Sequence, residues 1–211
     1  MQHMISPNFA PDKLDSDSIE DWIDIFEDRI VQWILKPANH LLKYPYSFFA
    51  VCQLLIPYFE GIAIYLNGRQ SKGKSKKFFA DGFVAVFQSS GFQADFLRRV
   101  ANILYEDARC GFFHDNMIRK RVIFAKASSA INPNVSKVNG QIDVNGEITA
   151  IIIDSEKLLN EIETHFRQYV RSLRDQTKTN LRSNFSNVWK SNYPSNRHII
   201  EIGNFEDYSP E

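Results

Sequence analysis

Apolar residues return at three- and four-residue spacing in stretch after stretch of this chain, and that period belongs to a helix with one buried face. It is clearest after Asp154-Ser155, where residues 158, 159, 162, 166, 169, 170 and 173 are all apolar, which predicts a long helix to about Arg174. The same spacing at 96, 97, 100, 103, 104 and 108 predicts a second one. A first helix is expected after Ser18, with Ser18 and Asp21 in capping-box spacing and apolar positions at 19, 22, 23, 25, 26, 30, 33 and 34. It should stop near Lys36, because Pro37 disfavours helix in the residue before it. A short piece from Ala38 to Lys43 follows, then a helix over about 46–66, kinked at Pro57 and closed by Asn67-Gly68. Further helices are expected over about 77–88 and 178–190.

The period changes once. Arg121-Val122-Ile123-Phe124-Ala125 reads as a strand, and residues 141–153 read as a hairpin turned by Asn145-Gly146. In a two-residue loop register the apolar residues of that hairpin fall on both faces, so a bulge or cover on two sides is required. The fold class is therefore mainly α, a helical bundle with a small antiparallel β-hairpin insertion at about 121–153. The domain spans 18–190, preceded by an acidic segment over 1–17 and followed by a tail over 191–211.

At 211 residues with 44% hydrophobic and 13% aromatic content, the chain can bury a core. Basic and acidic residues balance at 25 each, so there is no overall pull towards polyanions or membranes. Their distribution is uneven. Arg69, Lys72, Lys74, Lys76 and Lys77 fall in one stretch, 69–77, that reads as a mobile surface loop, and Arg119, Lys120 and Arg121 form a second cluster. Gly68 to Ser75 spells Gly-x-x-x-x-Gly-Lys-Ser, the string of a phosphate-binding loop, but it follows a helical pattern where such a loop needs a buried strand. The two cysteines, Cys52 and Cys110, fit a reducing, cytoplasmic setting. The apolar run 46–66 is about as long as a membrane span, yet Gln53, Pro57 and Glu60 interrupt it, and a core helix is the expected role. Among the histidines outside 109–114, only His165 has a carboxylate at ordinary helix spacing, Glu161. No metal site and no cofactor are expected.

Functional chemistry concentrates in Arg109-Cys110-Gly111-Phe112-Phe113-His114. Five helical steps separate Arg109 and His114 by about 140°, so they share a site only if the helix loosens, for which Gly111 is the expected place, or if a second copy contributes. With the preceding Leu104-Tyr105-Glu106-Asp107-Ala108, this Arg-x-x-x-x-His motif in a helical chain resembles the HEPN superfamily. The resemblance covers about 18–115 and 155–174, and Cys110 stands where that family often has a polar residue after the arginine. It implies a metal-independent ribonuclease of toxin or defence type, working as a homodimer, with RNA as substrate, an antitoxin protein as a further partner and no membrane. His114 would then act as general base towards a 2′-hydroxyl, and Arg109 would stabilise charge on the phosphoryl oxygens. Arg119, Lys120 and Arg121 would neutralise the RNA nearby. The alternative within the same resemblance is a non-catalytic protein-interaction or nucleotide-binding module.

Overall fold

The computed structural model describes residues 5–114, 116–119, 121–138, 141–143 and 145–193. The architecture is mainly helical with a small mixed sheet. The helices are α1 (Ile19–Ile30), α2 (Lys36–Leu41), α3 (Phe48–Leu55), α4 (Pro57–Asn67), α5 (Ser75–Phe87), α6 (Ala94–Leu104), α7 (Cys110–His114), α8 (Ser155–Arg174) and α9 (Thr179–Asn192). Strands β1 (Val122–Phe124), β2 (Ile131–Val135), β3 (Lys137–Val138), β4 (Gln141–Ile142) and β5 (Ile148–Ile153) lie between α7 and α8.

The first helix does not stop at Pro37. A π-helical turn, Val31–Leu35, joins α1 to α2, in which Pro37 is the second residue. In an α-helix the proline ring would strike the carbonyl four residues back. The widened turn, closed by the Lys36 N–H donating to the Val31 carbonyl, changes that geometry and lets the helix run on. The expected Ser18–Asp21 capping box is also replaced. Ser18 makes no side-chain cap, and the Ser16 hydroxyl donates to Asp21 Oδ2 at 2.5 Å.

The break at Pro57 and the end at Gly68, which adopts a left-handed conformation (φ 67°), lie where expected. Together α3 and α4 are long and apolar enough to cross a membrane by length and composition, and their inward residues Val51, Cys52, Leu55, Phe59 and Ile62 build the core. Gly82 lets α4 and α5 meet backbone to backbone, since a Cβ there would sit 1.8 Å from the Phe59 carbonyl oxygen. Phe59 packs edge-on to Phe79 and Phe83 beside that contact. The loop before α5 is shorter than expected, because Ser75, Lys76 and Lys77 already belong to the helix.

Helix α8 buries each of its seven periodic apolar residues. Full burial of one such side chain stabilises the fold by about 1.5–3 kcal/mol. Asp154 caps its start, accepting from the Glu156 and Lys157 amides, and Arg171 and Arg174 complement the dipole at its end.

The expected hairpin over 141–153 is not formed. β5 is the central strand of a three-stranded sheet in the order β1-β5-β2, parallel to β1 and antiparallel to β2, while β4 pairs with β3. The apolar residues of β5 suit a strand flanked on both edges, with Ile148, Ile151 and Ile153 fully buried. A register irregularity at Asn134/Val135 takes up the mismatch in β2, and Pro133 is tolerated because β2 is an edge strand. Arg99 ties the 143–146 region back to α6 by donating to the Gly146 carbonyl.

Candidate functional site

Between α6 and α7 the chain makes a second π-helical turn, Tyr105–Arg109, closed by the Cys110 N–H donating to the Tyr105 carbonyl. The helix therefore widens just before Arg109, and not at Gly111. From Cys110 to His114 the pitch is α-helical again, which leaves Arg109 and His114 about 140° apart around the axis. Among the described residues no hydrogen bond or ion pair joins them. Gly111 has a different role. It is buried, and a Cβ on it would lie 2.2 Å from the Met117 carbonyl oxygen. The chain after α7 turns back there, with the Met117 amide donating to the Gly111 carbonyl at 3.3 Å and the Arg119 amide to the Asp107 carbonyl at 2.9 Å.

Arg109 has a specific partner that its local sequence does not reveal. Its Nη2 donates to Glu60 Oε2 on α4 at 3.1 Å, and the two side chains are only 24% and 14% exposed. The other Glu60 oxygen accepts from the Ser71 hydroxyl at 2.7 Å. The guanidinium lies over two rings, 5.3 Å from the centre of Tyr105 and 4.7 Å from that of Phe113. Arg109 is thus fixed by charge on one side and by aromatic faces on others. His114 ends α7 and is exposed, as are its neighbours Phe113 (61%) and Met117 (64%).

The two basic clusters converge on one carboxylate. Lys76 Nζ at the start of α5 contacts Glu106 Oε1 at 2.6 Å, and Arg121 Nη2 reaches Glu106 Oε2 at 3.5 Å while its Nε donates to Asp107 Oδ2 at 2.6 Å. The hydrogen bond from Lys76 holds the Glu106 carboxyl below its ordinary range, and the bond to Asp107 pushes Arg121 further up. Arg119 is exposed beside them, and Lys120 lies outside the described residues. An open depression of about 740 Å³, lined by Lys74, Lys76, Lys77, Arg98, Asn102 and Tyr105 among others, lies on one side. A second, of about 730 Å³, is lined by Asp107, Ile118, Arg119, Arg121 and Val122.

Glu60 and Glu106 were missed by sequence reasoning. For Glu60 there was a signal, since it is the lone acidic residue in an apolar run and therefore needs a partner. Other expectations resolve locally. The Gly-x-x-x-x-Gly-Lys-Ser string joins helix to helix, and the Lys74 amide is spent on the Ser71 carbonyl at 2.6 Å. His165 pairs with Tyr58 across helices, its Nδ1 at 2.9 Å from the hydroxyl, instead of with Glu161, and burial pushes its pKa down to about 4. Cys52 is a core residue whose thiol burial pushes up, and Cys110 is half-buried. Among the described residues no three His, Cys, Asp or Glu side chains are grouped as a metal site would need. Compared with known proteins, the chain matches no family model, no curated sequence and no solved structure.

Proposed function

We propose that the chain is a HEPN-like, metal-independent ribonuclease of toxin or defence type, acting in the cytoplasm at a cleft between two copies, with an antitoxin protein as its natural restraint. The observation that carries this reading is the convergence of Lys76 and Arg121 on Glu106, three residues before Arg109. Clusters 45 residues apart in sequence thereby bring Lys76 and Arg121, with the exposed Arg119, beside the Arg/His helix, and although Glu106 and Asp107 offset the first two, this places the donors that a polyanionic substrate would engage. Arg109, fixed by Glu60, is pre-set as a donor for charge developing on a phosphoryl oxygen, and the exposed His114 is open to take a 2′-hydroxyl proton. A second copy seated on the exposed Phe113 and Met117 would supply the convergence that α-helical pitch denies within one chain.

A second reading is favoured by one observation: the Arg109 charge is already compensated by Glu60 and covered by Tyr105 and Phe113. A non-catalytic HEPN-like interaction or nucleotide-binding module would keep that pair for its architecture alone. The deciding experiment incubates purified protein with an RNA and with the same RNA carrying a 2′-deoxy substitution at the cut site, both in excess EDTA. The ribonuclease reading expects cutting of the first only, ending in a 2′,3′-cyclic phosphate and lost in His114→Ala. No cutting of either at high enzyme leaves the non-catalytic module.

A further inference from the structure

We infer that the depression between the 69–74 loop, the start of α5 and α6 is a groove that takes a single-stranded RNA backbone and leads it to Arg109, an inference that rests on the RNA-directed reading above. Its walls carry four cations, Lys74, Lys76 and Lys77 on one side and Arg98 on the other. Two carboxylates answer them. Asp81 bonds Lys77 at 2.6 Å and Arg98 at 2.5 Å, and Glu106 bonds Lys76 at 2.6 Å. Lys74 has no ion-pair partner among the described residues. Four positive groups against two negative ones leave a local surplus of two, in a chain whose formal charge is zero.

Shape selects the ligand class. A small-molecule site encloses most of its ligand, whereas this depression of about 740 Å³ is largely open to solvent. Open basic troughs suit a strand that passes through, with phosphates on the cations and unstacked bases against apolar surface. Ala80 and Tyr105 supply that surface. A nucleoside triphosphate fits less well, since the loop turns its Lys74 amide inward to Ser71.

Continuity selects the direction. Tyr105 lines the groove and carries the Arg109 guanidinium over its ring, so groove and arginine are separated by one aromatic side chain. Glu106 links Lys76 in the groove to Arg121, which lines the second depression together with Arg119. A strand entering at Arg98 crosses the Arg109 helix before reaching Arg121.

The test measures fluorescence anisotropy of a labelled 15-nucleotide single-stranded RNA on the full chain, in a His114→Ala background so that cutting does not interfere. Lys74→Gln/Lys77→Gln is compared with Lys36→Gln/Lys43→Gln, an equal charge change on exposed residues of the α2 region. The groove pair should weaken binding by about tenfold and lower the salt slope by about 1.4, at about 0.7 per charge for single strands, while the control pair changes affinity less than about twofold. Equal losses in both pairs, equal affinity for duplex RNA, displacement by micromolar magnesium–ATP, or no RNA binding at tens of micromolar protein each overturn the groove. If the His114-bearing protein cuts RNA and its groove variant does so with unchanged KM, the groove fails and the ribonuclease reading stands. If RNA binds through the groove and is never cut, the reverse holds.

Discussion

The molecule contains two π-helical turns, and they have different causes. Val31–Leu35 lies just ahead of Pro37, so its widening has a covalent reason two residues downstream. Tyr105–Arg109 has no proline near it. What surrounds it is tertiary: Glu60 on Arg109, Arg121 on Asp107, and the Arg119 amide on the Asp107 carbonyl. The first distortion is therefore a repair and the second is imposed from outside the helix. Widened turns in general are frequent at functional sites, and the second one ends at the candidate Arg109.

Substitutions can separate these two causes. The largest effect is expected from Gly111→Ala, which forces the returning chain at Met117 away from the helix that carries the second turn. A loss of about 2–4 kcal/mol should appear as a Tm lower by roughly 5–15 °C. An unchanged Tm would mean that the close approach does not hold the site together. Next comes Glu60→Gln, which keeps shape but removes the ion pair. Because both partners retain some exposure, the cost is put at about 1–2 kcal/mol, below that of a fully buried pair. It should also speed amide exchange over 105–110. Exchange as slow as in the parent would show that the turn needs no outside hold.

Pro37→Ala should act in the opposite direction. With the ring gone, the first turn can return to α-helical pitch, and a gain of about 1 kcal/mol is expected, measured as a higher urea midpoint at constant m. A lower midpoint would mean that the turn has a tertiary cause as well, and the contrast would collapse. The smallest effect on stability is expected from His114→Ala, within about 0.5 kcal/mol for an exposed helix end, and under the ribonuclease reading proposed above it should nonetheless abolish RNA cleavage. Arg109→Ala is a poorer probe, since it leaves Glu60 half-hidden without its cation and so mixes stability with chemistry.

The same contrast explains what could be read from the residues in advance. The buried face of α8 and the break at Pro57 follow from spacing and from the proline ring, both local, and both are as expected. The helix end at Pro37 was misjudged because the proline rule presumes α-helical pitch, which the wide turn suspends. The pairing of β5 was misjudged because Asn145-Gly146 favours a local turn, whereas its partners come from β1 and β2, the latter through a proline-bearing segment with weak strand character. At the candidate site, residue types single out Arg109 and His114 in the sequence, and helical pitch keeps the two apart within one chain. Glu60, 49 positions away, and the meeting of two basic clusters on Glu106 were not legible there, because only the packing of α4, α5 and α6 decides them.

The backbone contact at Gly82 sets which parts of such a chain are free to change. With no room for a side chain between α4 and α5, any larger residue there would pry apart the base on which Glu60, Lys76 and Lys77 stand. The 69–74 loop joins those same helices at their tops, and doubling its length costs only about 0.6 kcal/mol of closure entropy. Divergence, or a library of insertions, can therefore lengthen and recharge the rim while the spacing beneath it stays constant, so new surface chemistry is open to this scaffold without a new core.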